Sequence, residues 1–216
     1  LTEWLYVALG DSEAVCCGLR SYPQYYAEFI EQDLNVKVNL RNFGGAGTSD
    51  KLLKRLGTEP YQDAISEAQV VTIVITMNDL LSCPQGNREC AEERLTTAMA
   101  NYAAILEEIL ALRSTSDTII RTQTYDNPFV NRWKEQGVLE ERKFMLDRWN
   151  QRIVEIATEY DISVARVYQD FNGPDGDQDP GDKGYISTDG LHNNDAGVRR
   201  IAELLRDLGY EPLGPR

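Results

Sequence analysis

Five short, nearly unbroken apolar runs recur along the chain, at Trp4 to Leu9, Val36 to Leu40, Val70 to Ile75, Thr118 to Arg121 and Ile162 to Val167. Runs this short and dense are what strands buried on both faces require. The segments between them change to helical period. In Ala91 to Arg113 the residues Leu95, Met99, Tyr102, Leu106, Ile109 and Leu110 fall on one face, and in Arg142 to Tyr160 so do Met145, Trp149, Ile153, Ile156 and Tyr160. Ile201, Leu204, Leu205 and Leu208 repeat the pattern further on. Strand alternating with helix predicts right-handed crossovers and a parallel sheet covered on both faces, an α/β three-layer sandwich. The Asp-, Gly- and Pro-rich stretch from Gln169 to Asp189 is too polar for an element and reads as a long loop of the kind that often carries function. No internal repeat or linker divides the chain, so one domain is expected over residues 1–216.

In open parallel sheets ligands bind beyond the carboxyl ends of the strands. Distinctive polar clusters follow those ends here: Gly10-Asp11-Ser12 after the first strand, Asn42-Phe43-Gly44-Gly45-Ala46-Gly47-Thr48 after the second, and Thr76-Met77-Asn78-Asp79 after the third. Asp189-Gly190-Leu191-His192 follows the fifth and its long loop. Gly-Asp-Ser alone is weak, because turns favour those residue types. Four clusters on one sheet edge supply a hydroxyl nucleophile, donors for an anion and the sole histidine of the chain, which is the inventory for acyl transfer.

In these four blocks and their order, spanning residues 10 to 192, the sequence resembles the SGNH hydrolases, also called GDSL-type esterases and lipases. The resemblance implies a flavodoxin-like α/β/α sandwich with a five-stranded parallel sheet and a serine ester hydrolase that needs no cofactor. It assigns Ser12 as nucleophile, with its backbone N–H as one oxyanion donor. It assigns the backbone N–H of Gly47 and the side-chain amide of Asn78 as the others, and Asp189 and His192 as the orienting carboxylate and the base. Two positions depart from the family pattern. Thr76 stands where glycine is usual, which implies a narrower site or a differently set Asn78 loop. Asn193 follows the histidine where proline is common, a change expected to matter little.

The residue types suit that chemistry. A serine hydroxyl must lose its proton to a base as it attacks, and an imidazole can take the proton and return it to the leaving group. A carboxylate three residues before the histidine can fix its tautomer. A serine placed where strand becomes helix also turns free helix N–H groups toward the developing anion. Each such donor is commonly worth on the order of 100- to 1000-fold in rate.

Composition limits the rest. Hydrophobic residues make up 42% and charged residues 26%, the balance of a folded chain. The formal charge of -13 repels phosphate backbones and anionic membranes, so nucleic acid is not expected as a partner. No apolar run approaches a membrane span of about 20 residues. Oligomeric state is not readable. Cys83 and Cys90 bracket a short Pro/Gly/Asn segment that a disulfide would close at little geometric cost, against the alternative of separate thiols, and such a bond points to a secreted or cell-surface protein. Cys16 and Cys17 are equally consistent with small core residues and with a vicinal bridge. Asp175 to Asp179 has the alternating acidic look of a calcium loop, but Pro180 and Ile186 break that pattern, which favours a solvated loop and no metal. Tyr125, Phe129 and Trp133 line either an acyl pocket or an ordinary packing surface.

Within the resemblance, the substrate is a carboxylic ester of a small or medium acyl group. Lysophospholipase, thioesterase, carbohydrate acetylesterase and acyltransferase activities remain open beside it. The rival from another class is a silent binding module that has kept the fold.

Overall fold

The computed structural model describes residues 1–16, 18–84 and 86–214; Cys17, Gln85, Pro215 and Arg216 lie outside it, and the question of a Cys16–Cys17 bridge therefore falls outside the described residues. Five strands, β1 (Glu3–Gly10), β2 (Lys37–Phe43), β3 (Val70–Val74), β4 (Ile119–Gln123) and β5 (Ser163–Ala165), form one parallel sheet in the order β2-β1-β3-β4-β5. Each coincides with an apolar run of the sequence. β3 and β4 are buried throughout, as expected of central strands. β2 is not: Lys37, Asn39 and Arg41 are exposed, because it is an edge strand, and charge there blocks further pairing.

Among the described residues the helices are α1 (Tyr22–Leu34), α2 (Ser49–Leu56), α3 (Glu59–Glu67), α4 (Met77–Leu81), α5 (Arg88–Leu112), α6 (Val130–Glu135), α7 (Leu139–Glu159), α8 (Val167–Asn172) and α9 (Asp195–Asp207). α1 packs beside α9, while α5 packs against α2, α3 and α7, so helices cover both faces of the sheet. The long period read from Ala91 to Arg113 is α5, which is long and apolar enough to cross a membrane by length and composition. It buries Leu95, Met99, Tyr102, Ile105, Leu106 and Ile109 in the core instead.

Several polar groups within the core pair with one another. The hydroxyl of Thr72 on β3 meets those of Tyr6 and Tyr22 at 2.8 and 3.3 Å, and Tyr102 donates to Thr122 on β4 at 2.9 Å. Arg121, buried inside β4, donates to the carbonyls of Gly209 and Glu211 and so ties the segment after α9 to the sheet. The stretch expected to be one loop from Gln169 begins inside α8, whose buried Phe171 and Asn172 supply the packing that its polar neighbours conceal.

Candidate active site

The site is built on the end of β1. A Cβ on Gly10 would sit 2.3 Å from the carbonyl oxygen of Val74, so only glycine lets β1 lie this close to β3 as it turns. Asp11 then anchors the turn: its N–H donates to Val74, its carboxylate accepts from the Glu13 N–H at 3.0 Å and from the Tyr125 hydroxyl at 2.9 Å. Burial pushes the Asp11 carboxyl up to about 6. Ser12 opens a single 3₁₀ turn, Ser12–Ala14, and α1 starts only at Tyr22. The expected full helix at the serine is therefore absent, and with it most of a helix dipole; what remains is one turn of N–H groups.

His192 arrives on a hairpin pinned by the bridge between Ile186 and Asn193, with the Ser187 N–H donating to the His192 carbonyl at 2.8 Å. Asp189 organises its tip. One carboxylate oxygen accepts from the Ser187 hydroxyl and from the N–H groups of Leu191 and His192, and the other lies 2.7 Å from His192 Nδ1. Those contacts, the Ser187 hydroxyl first and His192 second, hold the Asp189 carboxyl well below the usual carboxylate range. His192 Nε2 lies 3.2 Å from Ser12 Oγ, so the three side chains stand in file.

The glycine-rich loop after β2 is laced to the serine turn. Ala46 and Gly45 donate to the carbonyls of Gly10 and Asp11, both at 2.8 Å, and Asn42 donates to the Ala14 carbonyl. Gly47 has φ 86°, a conformation that favours glycine, and its N–H meets no acceptor among the described residues. Asn78 Nδ2 donates to the Gly47 carbonyl at 2.9 Å, which brings the two sequence blocks together. The neighbouring Asp79 is buried and accepts from the N–H and hydroxyl of Ser49 at the start of α2, fixing the loop from below.

Thr76 holds φ 116° with no exposed surface, so threonine keeps the backbone conformation that glycine would find easiest. Its hydroxyl accepts a 2.8 Å hydrogen bond from the buried Trp149 indole on α7. A residue 73 positions away thus ties down the start of the segment that carries Asn78, whose amide reaches Gly47. Asn193, expected to matter little, is buried and donates to both Glu13 and Asp126. Trp149, Asp126 and Glu13 are the site residues the sequence reading missed, and only their types, a tryptophan on a core face and two carboxyls beside motif blocks, gave any signal.

A cavity of about 540 Å³ opens from Ser12, Asn78 and His192. Tyr125, Phe129 and Trp133 all line it, which settles them as cavity wall, together with the segment closed by the Cys83–Cys90 disulfide. The acidic loop is less solvated than expected. Asp179 is buried and accepts from the N–H groups of Asn131 and Gly181, so its oxygens serve α6 and the loop itself.

An α/β sandwich with a serine, a histidine and an aspartate in file at the carboxyl edge of its sheet is the arrangement of a serine-hydrolase class. The sequence matches the family described as GDSL-like lipase/acylhydrolase over residues 8–200, and the chain belongs to that family. Among solved structures it is similar to the lipase Lip_vut3 from a goat rumen metagenome, at 26% identity and TM-score 0.83, covering 97% of this chain and 99% of that one. An acetyl xylan esterase from Geobacillus stearothermophilus shares the fold at 19% identity and TM-score 0.70, over 96% and 95% of the two chains. So does a lipase/acylhydrolase from Enterococcus faecalis, at 18% and 0.63, over 95% of each. No curated protein sequence matches the chain.

Proposed function

We propose that the chain acts over residues 1–216 as one serine ester hydrolase domain that cleaves carboxylic esters of small or medium acyl groups through an acyl-enzyme on Ser12. The observation that carries the reading is the file of Ser12 Oγ, His192 and Asp189, at 3.2 and 2.7 Å. As Ser12 Oγ attacks the ester carbonyl, its proton passes to His192 Nε2. Asp189 accepts from Nδ1, holding the tautomer that leaves Nε2 free and stabilising the imidazolium. The N–H groups of Ser12 and Gly47 face the developing oxyanion with Asn78. The Asn78 amide has two hydrogens; one is used on the Gly47 carbonyl, and the other is assigned to the oxyanion. Collapse breaks the bond to the alcohol, which takes the proton from Nε2. Water then repeats the sequence, releasing the acid and restoring Ser12.

The acyl group is assigned to the cavity beside Ser12. Its volume of about 540 Å³ lies within the range of small-molecule sites. Apolar walls from Leu80, Phe129, Trp133 and Met145 suit hydrocarbon and leave room beyond an acetyl group. The disulfide supports a secreted or cell-surface location, since such bonds persist in oxidising compartments.

The test is hydrolysis of p-nitrophenyl esters from acetate to palmitate by the wild type and Ser12→Ala. The expected result is a rate maximum at a medium chain and a loss of at least about 1000-fold in the variant. Activity surviving in Ser12→Ala would sink the assignment; activity confined to acetate would move the reading to an acetylesterase. Absence of hydrolysis together with no labelling by a serine-directed phosphonate would favour the binding module.

A further inference from the structure

The nucleophile and the base each have a neighbour in sequence that the mechanism does not use. Ser12 is followed by Glu13 and His192 by Asn193. These neighbours also meet, across the same 180 residues: Asn193 Nδ2 donates to Glu13 Oε1 at 2.8 Å, beside the 3.2 Å contact of Ser12 with His192. The second hydrogen of the same amide reaches Asp126 Oδ1, in the segment after β4, at 3.2 Å. Three segments that converge on the site are therefore joined through one side chain. We propose that Glu13, Asn193 and Asp126 form a partly buried cross-link centred on Asn193, parallel to the Ser12–His192 hydrogen bond, that sets the separation of nucleophile and base.

Several observations support a positioning role. The Ser12–His192 contact joins a one-turn helix to the tip of a hairpin, and His192 and Asp189 are partly exposed there. Neither element is rigid by its own length. Asn193, by contrast, is buried at the base of that hairpin, where it pairs with Ile186. The proposal rests on the triad reading above, because it acts only through Ser12 and His192.

The cross-link also holds a proton. Two carboxyls share one amide, and Asp126 Oδ2 and Asn193 Oδ1 are buried with no partner among the described residues. Burial first, then the Asp126 charge, pushes Glu13 up to about 8; burial pushes Asp126 to about 6. Among the described residues no lysine or arginine acts on either carboxyl, and His192, next to Asn193 in sequence, acts to lower the neighbouring Asp11. Asp11 stands on the same turn, Tyr22 reaches in from α1, Tyr125 from the segment after β4 and Asp179 from the long loop, while Asn193 supplies only its amide. When Glu13 loses its proton, like charges face each other across Asn193, and the spacing of Ser12 and His192 loosens.

The experiment measures kcat, KM and thermal midpoint across pH 6 to 10 on the best p-nitrophenyl ester, for wild type, Asn193→Ala, Glu13→Gln and Ser12→Ala. Asn193→Ala is expected to lower kcat about tenfold or more with KM little changed, as a misplaced base does. Glu13→Gln keeps an acceptor for Asn193 and cannot ionise. Its ratio of kcat at pH 9 to kcat at pH 7 is expected to exceed that of the wild type severalfold, a change that a packing role alone would not produce. The cross-link is overturned if Asn193→Ala keeps full kcat, or if Glu13→Gln shows the wild-type pH profile. Should Asn193→Ala fail to fold, the Glu13→Gln profile decides alone. Undiminished activity in Ser12→Ala would instead bring down the triad reading, a result neither other variant can imitate.

Discussion

At the scale of single residues, Thr76 shows how an unfavourable backbone is retained. Its positive φ costs on the order of 1–3 kcal/mol for a non-glycine residue. Its hydroxyl satisfies the Trp149 indole, and an unpaired buried donor costs a similar amount, about 1–3 kcal/mol. The two effects separate by substitution. Thr76→Gly removes both and is expected to leave the unfolding free energy within about 1 kcal/mol of wild type, whereas Thr76→Val keeps the strain, loses the acceptor and is expected to cost about 1–3 kcal/mol. Denaturant titration of the pair checks this, and a Gly variant less stable than the Val variant would refute it. For the reaction itself, Asp189→Asn is expected to reduce kcat on the order of 10⁴-fold while leaving the fold intact, because the amide can favour the wrong imidazole tautomer. That Ser12 would meet His192 and Asp189, and that the Asn78 and Gly47 blocks would come together, was legible in the sequence through the four motif blocks. The contacts of Thr76, Glu13 and Asn193 were not, since each depends on a partner 73 or 180 positions away that spacing cannot reveal.

At the scale of elements, the five strands and the helices α5, α7 and α9 could be read from period alone, because burial on a sheet or against one imposes it. The 3₁₀ turn after β1 and the six-residue α8 escaped, being too short to carry a period, and the edge strand β2 runs on to Phe43, three residues past the apolar run that marked it. The junctions between elements are where small changes tell. Gly10→Ala is expected to cost about 1–3 kcal/mol or more, because the added methyl meets backbone and not a yielding side chain. The Cys83–Cys90 bond spans a sequence separation of only 7 and closes the connection between α4 and α5 that forms part of the cavity wall. Chain-entropy reasoning gives about 2–3 kcal/mol for a loop of that size. Cys83→Ser with Cys90→Ser is therefore expected to lower the thermal midpoint and to flatten the preference among acyl chain lengths; an unchanged chain-length profile would separate the loop from substrate selection.

For the whole molecule, the excess of acid over base combines with buried carboxyls to set the response to pH. Burial raises Asp11 and Asp126 to about 6, so both hold protons in the folded state at pH values where the unfolded chain has released them. Such groups contribute stability that is fully present below about pH 4 and is lost as pH rises through 6, each tenfold difference in proton affinity between folded and unfolded chain being worth roughly 1.4 kcal/mol. Asp189 and Asp33, held below the usual range by hydrogen bonds, act with the opposite sign: their contribution is present above about pH 4 and fades as pH falls further. The thermal midpoint is accordingly expected to be higher near pH 5 than at pH 8, where the net charge of -13 at neutrality adds self-repulsion. Calorimetry across that interval checks it, and a midpoint that climbs steadily to pH 8 would show that the buried carboxyls are not protonated as described. The 180-residue separation of Ser12 from His192 bears on the chain's own synthesis. On the proposed mechanism, the serine leaves the ribosome long before the histidine that would activate it, so a nascent or truncated chain lacking residue 192 would carry an idle hydroxyl until the connection between α8 and α9 has been made.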